Sequence, residues 1–263
     1  MNKIIAYFKN LKLTTNQLLF FTCCYITLIL NLPFLVKAVG VITAIDNYNL
    51  LFLMSMPIFL LSLSIVIQGF FSFRWLTKPL LITTVMISSL IFYGTITYGI
   101  VFNYGMVQNT VETDSAEALS YVNLYAILFF LIFGVIPSLI IYTIKLTYKP
   151  FFTELLSRVK MITLSFGAAF LIASVFYSNY ASVGRNNKDL LGYVTPYKLL
   201  DASYKFVRNQ YFYPPLQFEV LDTAPAIVRD NTRRHVTVMV LGETARAQSF
   251  SLNGYVKTTN KYT

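Results

Sequence analysis

His235-Val236-Thr237-Val238-Met239-Val240-Leu241-Gly242-Glu243-Thr244-Ala245-Arg246 is the stretch on which the reading of the chain turns. Val236, Val238 and Val240 alternate with Thr237, Met239 and Leu241, so a strand here is apolar on both faces. Such a strand suits the centre of a parallel sheet covered on both sides. In open α/β sheets, ligands sit beyond the carboxyl ends of the strands. Glu243 is placed there, just past Gly242, which lets the backbone turn sharply. From spacing alone, Glu243 is equally a solvated acid at the start of a loop. His235 opens the same strand, roughly 25 Å from Glu243 at about 3.3 Å per residue, so the two cannot share a metal. It follows Arg233 and Arg234 and reads as a surface residue at a strand start.

Upstream of this stretch the composition changes class. The chain of 263 residues is 56% hydrophobic and only 12% charged, with a mean hydropathy of +0.60. Soluble domains are nearer a quarter charged, so this is a membrane protein. The net charge of +10 does not point to nucleic acid, because the basic residues are spread among short loops between apolar runs. Cys23 and Cys24 are adjacent inside an apolar run and lack both disulfide and metal-ligand spacing. They read as small buried apolar residues.

Five runs carry no Asp, Glu, Lys, Arg or His: Leu18 to Val36, Tyr48 to Phe71, Leu80 to Phe102, Leu124 to Ile144, and Met161 to Tyr180. Each is near the roughly 20 residues that cross a bilayer as a helix. The first is long enough to stay as an anchor rather than be cleaved as a signal. Pro33, Pro57 and Pro137 lie inside runs, as bundle neighbours can tolerate. Lys3, Lys9 and Lys12 precede the first run. Arg74 and Lys78 follow the second, and Lys145, Lys149, Arg158 and Lys160 follow the fourth. The other two short loops hold Lys37 as their single cation, with Asp46, Glu112, Asp114 and Glu117 as acids. Positive loops stay in the cytoplasm, so the N-terminus is expected inside and everything after Tyr180 outside, in the periplasm of a two-membrane bacterium.

The loop at 103–123 contains Asn109-Thr110-Val111-Glu112-Thr113-Asp114-Ser115-Ala116-Glu117-Ala118. Asn109, Thr113 and Glu117 share a polar face if one helix runs through them. Asp114 could instead cap a new helix with Glu117 at its third position and break that continuity. On spacing alone the loop is equally an ordinary solvated segment. After the fifth run, Thr195 and Pro196 read as N-cap and first helical residue. Tyr197, Leu200, Tyr204, Val207 and Tyr211 then recur at helical spacing, and Pro214-Pro215 end the segment. This face suits the membrane interface or a soluble domain packed against it. Residues 216–234 have no clear period and read as a connector.

Gly242-Glu243-Thr244-Ala245-Arg246, followed by Ser251-Leu252-Asn253-Gly254-Tyr255, resembles the start of the catalytic domain of the lipid A phosphoethanolamine transferases, inner-membrane enzymes linked to polymyxin resistance. Asn31-Leu32-Pro33-Phe34 and the block around Asn109 resemble that family at the same places in the chain. The resemblance implies an α-helical polytopic membrane domain with five transmembrane helices, followed by the beginning of a truncated α/β alkaline-phosphatase-like periplasmic domain. It divides the chain into a five-span domain at 1–180, a periplasmic linker with an amphipathic interfacial helix at 181–234, and a first strand with zinc-ligand loop at 235–263.

The resemblance also implies the chemistry: transfer of phosphoethanolamine from phosphatidylethanolamine to a lipid A phosphate, with zinc as cofactor and a Thr nucleophile. Glu243 is then a zinc ligand, and Asn109, Thr113 and Glu117 bind the donor headgroup. A weak alcohol nucleophile needs a metal to lower its pKa. One carboxylate is not a site, since tetrahedral zinc needs about three or four ligands. The nucleophile and the remaining ligands are expected beyond Thr263, so residues 1–263 alone are expected to be inactive, and Thr244 is not the nucleophile. The rival expectation is a non-enzymatic membrane lipid-binding or scaffold protein. A transporter is disfavoured because no apolar run carries an ionisable residue.

Overall fold

The computed structural model describes residues 11–45, 48–114, 121–213, 238 and 247–259. The chain forms two compact units, Met1–Pro215 and Leu216–Thr263.

The first unit opens with a short strand, β1 (Lys12–Thr14), running into helix α1 (Thr15–Tyr25). Thr14 caps α1 reciprocally with Gln17: its backbone N–H donates to Gln17 Oε1 at 2.9 Å, and its hydroxyl accepts from the Gln17 N–H. Helix α1 widens into a π turn, Ile26–Leu30, and breaks at Asn31 before α2 (Leu32–Thr43), with a bend of 58°. Pro33 lies in the first turn of α2. It has no N–H to continue the ladder, so the first expected span is a broken one. Lys37, expected in a loop, lies exposed on α2 with its ammonium 5.6 Å from the centre of the Tyr193 ring.

Helix α3 (Leu50–Phe71) is capped by Asn49 Oδ1, which accepts from the N–H groups of Leu51 and Phe52, and it carries Pro57 without a break. Helix α4 (Thr77–Tyr98) ends on Gly99, whose φ of +66° is the left-handed conformation that closes helices. A short helix, α5 (Tyr104–Glu112), follows. The next span is composite: α6 (Leu124–Phe130), a π turn at Leu131–Val135, and α7 (Ile136–Thr143) with Pro137 in its first turn. The Tyr25 hydroxyl donates to the Phe133 carbonyl at 2.7 Å, so a side chain at the end of α1 uses a carbonyl of this second π turn.

Strand β2 (Lys145–Thr147) pairs in parallel with β1, Lys12 opposite Lys145 and Thr14 opposite Thr147. Two copies of the tripeptide Lys-Leu-Thr thus form a small sheet that joins the ends of two helices. Leu13 and Leu146 pack on the core, while both lysines face outward. Neither strand is visible in the periodicity of the sequence.

Helix α8 (Phe151–Val175) is the longest. It starts ten residues before the apolar run at Met161, so Arg158 and Lys160, expected in a loop, lie on the helix. The cause is local. Arg158 pairs with Glu154 one turn earlier at 3.3 Å, and Glu154 accepts the Thr15 hydroxyl at 2.7 Å. Helix α8 lies along α3, close enough at Gly69 that a Cβ there would stand 3.0 Å from Ile162 Cγ1. Helix α9 (Tyr177–Asn186), a 3₁₀ turn (Lys188–Tyr193) and α10 (Tyr197–Val207), which continues as a π turn to Phe212, complete the unit.

Among the described residues, four helices are long and apolar enough to cross a membrane, and the bent α1–α2 pair makes a fifth. Their outward faces are apolar: Phe166, Phe170 and Leu171 of α8 are each at least 60% exposed, as lipid-facing residues are. The interior holds a core of Leu18, Leu30, Leu81, Val85, Phe129 and Ile141. Cys23 is buried against Leu19 and Ile65, and both cysteines are free thiols. Arg74, Lys78, Lys145 and Lys12 gather at one end of this bundle through contacts with Tyr148, Tyr142 and the β1–β2 pair.

In the second unit, the expected strand at 235–241 lies outside the described residues apart from Val238, which is exposed and not in regular structure. The Ser251-Leu252-Asn253-Gly254-Tyr255 block is a 3₁₀ turn closed by Gly254 at φ +91°. The Asn253 side chain donates to the Ala247 carbonyl at 2.8 Å, and the Tyr255 N–H reaches Phe250 O at 3.3 Å. Asn and Gly at these places therefore have a local reason: a side-chain bond and a backbone turn.

Candidate functional site

The loop after α4 is organised by α5. Asn103 Oδ1 caps it, accepting from the Met106 N–H at 3.0 Å. Gln108 Nε2 donates to Glu112 Oε1 at 2.8 Å along one side. Asn109 is exposed on the surface of α5, and its side-chain amide makes no hydrogen bond among the described residues. Thr113 is the C-cap, its N–H bound to Asn109 O at 2.8 Å and its hydroxyl donating to the same oxygen at 2.6 Å. With its proton so engaged on the Asn109 backbone carbonyl, the Thr113 hydroxyl still offers lone pairs to a ligand.

The helix does not run on. Thr113 leaves helical space at φ −67°, ψ 133°, so Asn109, Thr113 and Glu117 do not share one continuous helix. The chain leaves the helix at Thr113, and the alternative, a new helix capped by Asp114 with Glu117 at its third position, falls on residues outside the described ones. Glu117, Glu243, Thr244 and His235 lie outside the described residues. Among the described residues no three His, Cys, Asp or Glu side chains come together as a metal site, and Glu243 alone could not complete the coordination of zinc.

Helix α5 is held in place from α10, against which it packs, with the Tyr104 and Phe206 rings 6.2 Å apart. Helix α10 is in turn tied into the bundle, and the expected N-cap is corrected by the way it is tied. The cap position belongs to Pro196, with no side-chain hydrogen bond. Thr195 is instead buried in a clasp with Asn31 at the break between α1 and α2. Asn31 Nδ2 donates to Ile26 O (3.0 Å) and to Thr195 O (2.9 Å). Asn31 Oδ1 accepts from Thr195 N (2.8 Å) and Thr195 Oγ1 (3.2 Å). Asn31 is 0% exposed, so its amide is wholly committed to these bonds.

Two residues on, Tyr197 points inward, its hydroxyl 3.4 Å from Gln68 Nε2; burial pushes its pKa up to about 12. Outward from it, Leu200, Tyr204, Val207 and Tyr211 form an exposed stripe, while Ala202 is buried. Asp201 sits between Lys198 (2.9 Å) and Lys205 (3.0 Å), and these two ammonium groups hold its carboxyl below the usual range. In the sequence Asn31 shows as a lone amide two residues before a proline inside an apolar run, in the Asn31-Leu32-Pro33-Phe34 block, and nothing local to it points to Thr195.

Around the same end of α4 the rings of Tyr93, Tyr98, Tyr121 and Tyr125 pack edge to face or tilted, with centres 5.8 Å apart from Tyr98 to Tyr121. Tyrosines so clustered at span ends mark a membrane–water boundary, which sets α5 close to the lipid surface.

Comparison with known proteins gives this arrangement its context. A family described as phosphoethanolamine transferase EptA/EptB matches residues 60–211. Phosphoethanolamine transferase EptA of Escherichia coli K12 is 31% identical over 241 residues, covering 90% of this chain and 44% of the relative. Phosphatidylethanolamine transferase Mcr-1 of Escherichia coli is 30% identical over 240 residues, with 89% and 44% covered. The solved structure of the integral membrane protein lipooligosaccharide phosphoethanolamine transferase A from Neisseria meningitidis superposes with a TM-score of 0.83 at 28% identity, covering 95% of this chain and 47% of that one. The chain therefore spans less than half the length of the relatives it matches. The match runs from the middle of α3 through α10, taking in Asn109, Thr113 and the Asn31-clasped connector, and on it the chain belongs to the phosphoethanolamine transferase EptA/EptB family.

Proposed function

We propose that this chain supplies the membrane part of a bacterial inner-membrane enzyme that moves phosphoethanolamine from phosphatidylethanolamine to phosphate groups of lipid A, and so confers polymyxin resistance. The observation that carries the reading is that Asn109 lies exposed on α5 one turn before its C-cap Thr113, next to the tyrosine-ringed end of α4. A donor headgroup presents an ammonium, which needs acceptors. Asn109 Oδ1 and the Thr113 hydroxyl oxygen are neutral acceptors, and Glu117 is proposed as the anionic partner. The basic end of the bundle faces the cytoplasm in this reading and α5 faces the periplasm. Zinc is the proposed cofactor, with Glu243 as one ligand, on the resemblance of the Gly242-Glu243-Thr244 block.

The test uses a full-length enzyme carrying these residues, with turnover of a labelled phosphatidylethanolamine analogue as the readout. A partly shielded ammonium–carboxylate bond contributes roughly 1.5–3 kcal/mol, so Glu117→Gln lowers donor use about ten- to a hundredfold. Asn109→Ala lowers it by less, about fivefold, for loss of one neutral bond. Wild-type turnover in both folded variants removes the headgroup reading.

A further inference from the structure

A second cleft lies at the opposite end of α4 from the donor loop. We propose that this cleft, between Arg74, Trp75, Lys78, Ile82, Tyr142 and Tyr148, seats the headgroup of a phospholipid with net negative charge, such as phosphatidylglycerol. The cleft measures about 500 Å³, the size of a small-molecule site. It is some 30 Å from α5, since α4 has 22 residues at about 1.5 Å each.

Its cations are arranged and, among the described residues, uncompensated. The Arg74 guanidinium lies 4.6 Å from the centre of the Tyr148 ring, and the Tyr148 hydroxyl donates back to Arg74 O at 3.2 Å. The two contacts hold the Tyr148 ring against Arg74, and the guanidinium N–H groups make no hydrogen bond among the described residues. Lys78 Nζ donates to Tyr142 O and Ile144 O, each at 2.7 Å, and so caps α7. An ammonium has three donors, so one remains for a ligand. The described carboxylate at this end, Glu154, already receives Arg158 and the Thr15 hydroxyl. Among the described residues neither Arg74 nor Lys78 has an acidic partner. The first turn of α4, the positive end of its dipole and without a side-chain cap, lines the same cleft.

The surroundings place the ligand at a bilayer surface. Trp75 is 88% exposed, and an indole so exposed beside the end of an apolar span belongs at the headgroup level. Ile82, one turn further along α4, continues the wall toward the hydrocarbon. A phosphate at this depth meets two cations. A zwitterionic headgroup would bring an ammonium into a cleft whose described lining holds no carboxylate, which favours an anionic lipid over a zwitterionic one.

Trp75 is the single tryptophan of the chain, so its fluorescence reports on this cleft alone. The full chain is reconstituted in bilayers containing equal mole fractions of brominated phosphatidylglycerol or brominated phosphatidylcholine, and quenching gives their relative binding at Trp75. Juxtamembrane cations each favour anionic lipid roughly fivefold. Phosphatidylglycerol should therefore be preferred by about five- to twenty-five-fold at low salt, and Arg74→Gln should lower the preference about fivefold. Lys78 is left intact because it also caps α7. Lys145→Gln, at the same end but outside the cleft, should lower the preference clearly less than Arg74→Gln does. Equal quenching by the two lipids in the wild-type chain overturns the proposal. So does a preference that falls as much for Lys145→Gln as for Arg74→Gln, which would make it a general surface attraction.

Discussion

Replacing Asn31 by Ala tests whether the connector is held by one amide. The change removes four hydrogen bonds: the two donated by Nδ2 to Ile26 O and Thr195 O, and the two accepted by Oδ1 from Thr195 N and Oγ1. Ile26 O keeps the Asn31 N–H at 2.9 Å, so its loss is small. The Thr195 N–H and C=O are stranded in a buried place, Thr195 being only 4% exposed. Hydrogen bonds between membrane helices average about 0.6 kcal/mol, which puts the set near 2.4 kcal/mol. Counted instead as two buried backbone groups left without partners, at roughly 1–3 kcal/mol each, the same loss is about 2–6 kcal/mol. The expected loss is about 2–5 kcal/mol, or a fall in Tm of roughly 5–15 °C. Thr195→Val removes only the hydroxyl bonds, which are longer at 3.2 and 3.3 Å, and should cost under about 1 kcal/mol. The assay is thermal melting in detergent followed by circular dichroism, with tryptic cleavage at Lys198 and Lys205 as a local probe of α10. An Asn31→Ala protein melting within about 2 °C of wild type would refute the reasoning, as would equal losses for the two variants.

Three further outcomes rest on other contacts. A Cβ on Gly134 would lie 2.5 Å from Ser89 Oγ and 3.0 Å from the Phe130 ring, so Gly134→Ala should destabilise by roughly 1–3 kcal/mol, and melting of a Ser89→Ala/Gly134→Ala double variant should recover part of it. Asp201 has a folded pKa below its ordinary value of 3.8, set first by Lys198 and then by Lys205. Its contribution is therefore complete above about pH 4 and is lost as pH falls through the lowered value; cleavage of the connector by a protease active across the range should be flat from about pH 5 to 8, and a change within that window would implicate another group. In a full-length enzyme, Glu243→Ala should lower bound zinc and lipid A modification while leaving membrane insertion intact, and metal analysis showing wild-type zinc would remove Glu243 from the ligand set.

The spans are legible in the sequence because hydropathy is a sum over many residues, and a run without charge near 20 residues long has few other fates. Their ends and breaks are less so, because single contacts decide them. The fifth apolar run begins at Met161, yet Glu154 and Arg158 pair on the helix and carry it back to Phe151. Thr195 has the residue type and position of a cap, but Asn31, 164 residues away in sequence, claims its backbone and hydroxyl first. No local pattern contains that competition. The polar block around Asn109 is visible as a motif, and two conformations of it are compatible with the sequence. Among the described residues, the helix ends where Thr113 turns out of it, with its hydroxyl bonded to Asn109 O.

The π turns correct a phase error. Leu18 and Leu30 are twelve positions apart, as are Phe129 and Ile141, and all four are buried in one core. On a plain α-helix, twelve steps of about 100° leave two residues about 120° apart around the axis. One extra residue absorbed in a wide turn makes the effective separation eleven steps, and the offset shrinks to about 20°. Each of these spans thus carries a surplus residue that brings its two halves back onto the same side. Removing one residue within 131–135 would restore regular winding and leave α7 in phase, with Ile141 still on the core and the Ile144 carbonyl still on Lys78. Adding one there would demand a wider turn still, or else spin α7 by about 100° and take both groups off their partners. Tolerance to a change of length is therefore one-sided in this span: it has a residue to give up and no room for another.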